Sequence, residues 1–220
     1  MSTARRSRCS IVLTTLSLLS SATHCLAQTY TVTDLGTLSG NRVSKAYALN
    51  NAGVAAGTSS NPTAAIAVMF SGGQATSIST LQASVSVATA INGSNEIVGW
   101  NFFYSNPNFN PQAFLYSAGS MKNINSPTLF PSGTEAWGIN SFGAVVGTGY
   151  FTASNFHAFL YSGGQMKDIG PPGAEQASAV AINTAGQIVG GYSLTSGKAG
   201  EFLYSNGQRP HFQCPRVRVA

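Results

Sequence analysis

The chain has 220 residues, of which 24 are glycine and only 8% are charged, and its formal net charge is +5. Low charge with abundant Gly, Ser, Thr and Asn suits a compact, turn-rich all-β protein with a substantial core. Nucleic acid is excluded as a partner: three of the eleven basic residues are Arg5, Arg6 and Arg8 and three more are Arg209, Arg216 and Arg218, leaving five against six carboxylates in the body, whereas a basic footprint belongs on the folded body.

The N-terminus comes first. Three arginines precede an apolar run from Ile11 to Leu19, and small and polar residues follow, ending Cys25-Leu-Ala27. This is the layout of a secretory signal peptide cut after Ala27. The apolar run falls well short of the ~20 residues a membrane span needs, and His24 stands where a lipoprotein signal wants a small residue before Cys25. No other stretch is apolar enough to span a membrane, so the expected address is secreted, extracellular or on the cell surface. Cys9 and Cys25 leave with the leader, which leaves Cys214 without an intramolecular disulfide partner. The expected organisation is a signal peptide over 1–27, a repeat domain over 28–208 and an atypical basic tail over 209–220.

Two submotifs recur along the domain. The first is a run ending in Ile/Leu-Asn, three further residues and a short apolar run closed by Gly: Ala48 to Gly57, Ala90 to Gly99, Gly138 to Gly147 and Ala181 to Gly190. The second is Ala-Phe-Leu-Tyr-Ser-x-Gly or a worn version of it: Ala67 to Gly73, Ala113 to Gly119, Ala158 to Gly164 and Glu201 to Gly207. Each reads as a β-hairpin, rich in Val, Ile, Phe and Tyr and bounded by Asn, Ser and Gly. The first hairpin's turn ends in Gly53, Asn95, Gly143 and Gly186, and Asn in place of Gly predicts a position with φ > 0. Two hairpins give four strands per repeat, and such a unit must stack on its neighbours to bury its apolar face. Prolines 62, 107, 111, 127, 131, 171 and 172 all fall between the expected strands, as intact ladders require.

Thr29 to Leu38 matches the last strand of the later repeats, Thr76 to Leu81, Lys122 to Asn125 and Lys167 to Gly170, whereas the fourth repeat supplies none after Gly207. The spare N-terminal strand is therefore expected to pair with the last blade and close a ring, which removes open edges. The fold class expected is all-β, a β-propeller-like array of about four four-stranded blades.

The motifs Asp34-Leu-Gly-Thr-Leu38, Ala181 to Gly190 and His157 to Gly164 resemble the HAF family of probable extracellular repeats, over roughly residues 30 to 207. The resemblance implies a secreted or surface repeat protein and no particular reaction. The third repeat keeps His-Ala-Phe; the second has Gln112-Ala-Phe and the fourth Gly200-Glu-Phe. After Gln208 the pattern breaks into Arg209-Pro-His-Phe-Gln-Cys-Pro-Arg-Val-Arg218, which reads as a truncated or frameshifted end of a longer array.

Catalytic chemistry is not indicated. His157 is the body's single histidine, so neither a triad nor a zinc site has its partners, and it reads as a satisfied or solvent-facing strand residue. Of the carboxylates Asp34, Glu96, Glu135, Asp168, Glu175 and Glu201, Asp34 and Asp168 occupy matching positions where Asp bonds the local backbone; none stands out as one of a catalytic pair. The glycines are explained by turns, with no phosphate loop. Asn92-Gly-Ser94 matches a glycosylation acceptor, but Asn92 is also the repeat's turn asparagine. No catalytic residue, metal or cofactor is expected, and the oligomeric state is left open.

One segment exceeds the needs of the repeat: Trp100-Asn-Phe-Phe-Tyr-Ser-Asn-Pro-Asn-Phe-Asn-Pro111. Aromatic faces beside amides make a sugar-binding surface, the ring stacking on C–H groups and the amide bonding hydroxyls. Trp100, Phe102, Phe103, Tyr104 and Phe109 are the candidate ligand-binding residues, with packing between blades as the competing role. The expected function is a non-catalytic binding or adhesion module for glycan or surface protein. A carbohydrate-active hydrolase or lyase on the same scaffold is the alternative.

Overall fold

A computed structural model of the chain describes residues 30–79, 81–104, 110–205 and 207. The leader, Phe109 and the basic tail lie outside the described residues. The chain divides into a body of residues 1–32, whose described part holds no strand, and a body of residues 33–220 that carries all the strands below.

Among the described residues fifteen strands follow in chain order. The first repeat holds β1 (Val43–Leu49), β2 (Ala55–Ser60), β3 (Ala65–Ser71) and β4 (Gln74–Ser77). The second holds β5 (Val85–Ile91), β6 (Ile97–Phe102), β7 (Gln112–Ser117) and β8 (Ser120–Asn123). The third holds β9 (Thr134–Ile139), β10 (Val145–Tyr150), β11 (Phe156–Ser162) and β12 (Gln165–Asp168), and the fourth β13 (Ala174–Ile182), β14 (Ile188–Leu194) and β15 (Ala199–Tyr204). Within each repeat successive strands pair antiparallel. Single parallel bridges, Ala65 to Val85 and Phe156 to Gln176, join the repeats pairwise into sheets of eight and seven strands.

The two turn chemistries expected from the sequence are both present. Asn50 Oδ1 accepts from the N–H groups of Ala52 and Val54, both at 3.0 Å, and Asn92 and Asn140 cap their turns in the same way. Asn95 has φ 61°, beside 77°, 74° and 75° for Gly53, Gly143 and Gly186, so the amide side chain stands in for glycine in the left-handed region. At the end of the fourth strands the N–H two residues on donates to Ser77, Asn123 and Asp168, and Gly36 N–H donates likewise to Asp34.

The core lies between repeats. Ala56 and Ala67 of the first meet Ala88, Ile97 and Phe114 of the second; Val98 and Ala113 meet Ala136, Val145 and Phe159; Val146 and Ala158 meet Ala177, Ala179, Ile188 and Phe202. Each layer also takes the Ile that follows a fourth strand, Ile78, Ile124 or Ile169, all buried. This is the stacking a repeat needs when its apolar face cannot be covered from within.

A line of amides stitches the layers together. Asn50 Nδ2 donates to the Asn92 carbonyl at 3.0 Å, Asn92 Nδ2 to the Asn140 carbonyl at 3.0 Å, and Asn140 Nδ2 to the Asn183 carbonyl at 3.2 Å. Asn92 is 5% exposed, so the amide that matched a glycosylation acceptor is committed to this line.

The expected closing strand is a correction. Residues 30–38 form no strand and pair with no part of the fourth repeat among the described residues. Gly36, at φ 76°, bends the chain, and Leu35 and Leu38 turn into the first repeat against Ala55, Val68 and Phe70. The repeat match itself holds in a different sense: Leu35 covers the first repeat as Ile78 covers the second.

Candidate functional site

The glycines that close the first submotif, Gly57, Gly99, Gly147 and Gly190, lie inside strands, which corrects their reading as turn residues. A Cβ on any of them would run into the backbone carbonyl of the facing strand, that of Lys45, Val87, Glu135 or Ser178. In three of the repeats it would also meet a ring, with Phe159 Cε1 2.8 Å from the Cβ position of Gly147. This close approach accompanies a β-bulge in the first strand of each repeat. Gly57 pairs with Ala46 and Ala56 with Ala48, so Tyr47 is left over; Thr89, Trp137 and Val180 are left over in the same way. A bulge inserts one residue and re-aims its side chain.

All four bulged residues line one cavity. Tyr47, Thr89, Trp137 and Val180, each three positions before its turn asparagine, meet there with Val87 and Trp100 around a volume of about 440 Å³. That is within the range of small-ligand sites, and mostly apolar walls with few polar groups are usual for them. Tyr47 and Val180 are more than half exposed and leave the cavity open to solvent.

The polar groups of the wall are mostly engaged. Thr89 Oγ1 lies 2.7 Å from the Ala136 carbonyl, and Trp137 Nε1 donates to Thr148 Oγ1 at 3.0 Å. Thr148 Oγ1 in turn is 2.6 Å from Ser178 Oγ, which ties the wall to the fourth repeat. Trp100 Nε1 is buried with no hydrogen-bond partner, a condition that costs roughly 1–3 kcal/mol.

The structure separates the aromatic residues expected to act together. Trp100 stands on β6 opposite Val87 and belongs to the cavity. Phe102 and Tyr104 form an edge-to-face pair with centroids 5.6 Å apart, Tyr104 is 66% exposed, and Phe103 is half-buried. Tyr47, Val87, Thr89, Trp137 and Val180 were not singled out by the sequence. Their signal was the fixed offset from the turn asparagine, invisible until the bulge gives that offset a direction.

No family model matches the chain, and no curated protein matches it. Among solved structures it is similar to the crystal structure of TolB from Acinetobacter baumannii, with 14% sequence identity and a TM-score of 0.45. The similarity covers 74% of this chain and 44% of that one, so the chain spans less than half of that protein's length.

His157 has partners on both ring nitrogens: Nδ1 lies 2.8 Å from Asp168 Oδ2, and Nε2 lies 3.1 Å from the Ala174 carbonyl at the start of the next repeat. In the second repeat Asn123 Nδ2 donates to Gln112 Oε1 at 2.6 Å. A neutral amide pair thus does at Gln112 what the imidazole and carboxylate do at His157. Among the described residues no group of three or more His, Cys, Asp or Glu side chains is placed to hold a metal ion, and no helix is long and apolar enough to cross a membrane.

One carboxylate is set apart. Glu135 is 8% exposed and accepts from Tyr150 Oη at 2.8 Å. Burial raises its pKa above the usual carboxylate value, and the Tyr150 hydrogen bond lowers it by less. Burial, then the Glu135 charge and the hydrogen bond to it, push the Tyr150 hydroxyl upward. For an acid whose folded pKa is raised, stability is fully present below the unfolded value, near 4.5, and is lost as pH rises through the folded pKa. Glu135→Gln is therefore expected to be more stable than the parent at pH 7, with the advantage shrinking toward pH ~4.5. Urea midpoints measured across that range check it; an advantage independent of pH would refute the assignment.

Proposed function

We propose that the chain is a secreted, non-catalytic binding module of β-propeller-like build, with the cavity between its first strands as a glycan site. The observation that carries the reading is the convergence of Tyr47, Thr89, Trp137 and Val180 with Trp100 on one open cavity. Indole and phenol rings offer faces for the C–H surface of a sugar. A hydroxyl oxygen that reaches Trp100 Nε1 would give that buried donor its acceptor. Four antiparallel repeats stacked through apolar layers are what blades of a propeller would be, and the layout of residues 1–27 supports the extracellular address. A glycoside hydrolase would need paired carboxylates at the reacting bond, and no carboxylate is among the described residues lining this cavity.

The chain contains two tryptophans, Trp100 and Trp137, and both line the cavity. Intrinsic tryptophan fluorescence is therefore a reporter on this site alone. Titration with a panel of oligosaccharides is expected to give a saturable change with at least one class. Trp100→Ala should weaken that binding by about tenfold or more, the cost of roughly 1.4 kcal/mol. Fluorescence that stays unchanged across the panel would sink the glycan reading. Release of shorter sugars from a responding oligosaccharide would favour the enzyme.

A further inference from the structure

The stacking that joins the repeats is directional. At each junction the earlier repeat offers an asparagine Nδ2 and an apolar pair from its second and third strands. The later repeat receives them with the carbonyl of its own turn asparagine and the apolar side chains around it. The described body carries one unused copy of each half.

The offering half is on the fourth repeat. Val189 stands six residues after Asn183, where Ala56, Val98 and Val146 follow Asn50, Asn92 and Asn140; those three are 0% exposed, and Val189 is 44% exposed. Leu203, on β15, is 53% exposed, whereas its counterparts Leu115 and Leu160 pack on the inter-repeat cores. Asn183 Nδ2 donates to Gln187 Oε1 at 2.7 Å, as Asn92 Nδ2 does to Glu96 Oε2 at 2.6 Å, and has no following repeat to reach among the described residues.

The receiving half is on the first repeat. Leu49 is 69% exposed, while its counterparts Ile91, Ile139 and Ile182 all pack on the layer shared with the repeat before them. Ala46 is exposed, while Ala88, Ala136 and Ala179 are 0% exposed. Leu35 already fills the place that Ile78, Ile124 and Ile169 take at the other junctions. Among the described residues the fourth repeat, with three strands, makes no such contribution.

We propose that a second copy of this chain covers these two surfaces head to tail, its Val189, Leu203 and Asn183 on the first's Ala46, Leu49 and Asn50 carbonyl. The argument is continuity: the contact repeats a junction built three times within the chain, at the same residue positions on each side, with one departure, the exposed Glu201 where Ala67, Ala113 and Ala158 are 0% exposed in the internal layers. The two halves differ, so the contact is heterologous, and two copies close on each other when each fills the other's open end.

Sedimentation of the purified full chain over a micromolar concentration series tests this, with three variants alongside. The expected result is a dimer whose dissociation constant rises about tenfold or more in Val189→Asp and in Leu49→Asp. Both residues are exposed, so circular dichroism and melting should show both variants folded. Mixing the two variants is expected to restore association, because Leu49 of one chain and Val189 of the other rebuild one intact contact. Ser120→Asp, on the exposed edge strand β8, should leave the dimer unchanged. A monomer at all concentrations, which is also what internal closure would give, overturns the proposal. So does a dimer indifferent to both variants, or a mixture that does not re-associate.

Discussion

Gly147→Ala is expected to destabilise the protein by about 3 kcal/mol or more, the upper end of what overpacking costs. The added Cβ has no accommodating space: it meets the Glu135 carbonyl, lies 2.8 Å from Phe159 Cε1 and 2.9 Å from Ala136 Cα. Two of these are backbone atoms of the paired strand, so relief requires β9 and β10 to part. That opens the layer in which Val145 and Phe159, both 0% exposed, pack against Val98. It also removes the bulge that leaves Trp137 unpaired and aims it at the cavity. Thermal melting should show the loss, and tryptophan emission of the folded fraction should shift as Trp137 changes surroundings. Gly164→Ala is the contrasting change: its φ is 82°, but no atom lies within 4 Å of the added Cβ, so its cost is confined to backbone strain, of order 1 kcal/mol. Equal losses from the two changes would refute the close-approach account.

The contrast marks how far the sequence could be read. The repeat, its two hairpins, the φ > 0 turn position shown by Asn95 and the matching roles of Asp34 and Asp168 all followed from local chemistry, because turns are decided by a few adjacent residues. Gly147 did not, because the reason for it is a carbonyl on another strand, and the pairing slip that brings Glu135 there leaves no mark in the spacing of β10. The site followed the same division. Trp100 stood out as an extra aromatic residue and does line the cavity. Trp137 and Tyr47 looked like ordinary strand residues, and only the bulge brings them to a common cavity. Phe102 and Tyr104 are neighbours of Trp100 in sequence, but they pack on each other and are not among the residues that line the cavity. Likewise the Asp34–Leu38 stretch was matched to the correct repeat position, yet sequence identity of position could not say which repeat it would cover.

The second large effect is expected at Asn140, where one side chain serves a turn and a junction at once. Its Oδ1 accepts from Phe142 and Ala144 N–H at 3.0 Å each, its Nδ2 donates to the Asn183 carbonyl at 3.2 Å, and the residue is 6% exposed. Asn140→Ala strips two backbone donors and one carbonyl of their partners in a dry setting, at a cost on the order of 2–4 kcal/mol. Asn183→Ala should cost less, since Asn183 is exposed and, among the described residues, its Nδ2 reaches Gln187 within the same turn and no following repeat. Asn140→Asp separates the two roles. The carboxylate keeps both turn acceptors but sets a charge against the Asn183 carbonyl, so at neutral pH it should approach or exceed the loss from alanine. In acid the protonated carboxyl can donate to that carbonyl, and part of the loss should return while the alanine variant gains nothing comparable. Denaturant midpoints of the three variants at two pH values decide the matter. If Asn140→Ala and Asn183→Ala lose the same amount, the junction contributes nothing and the asparagine serves its turn alone. If Asn140→Ala loses more and only Asn140→Asp recovers in acid, the amide line is part of what holds one repeat on the next, and with it the register that brings four bulged side chains to one cavity.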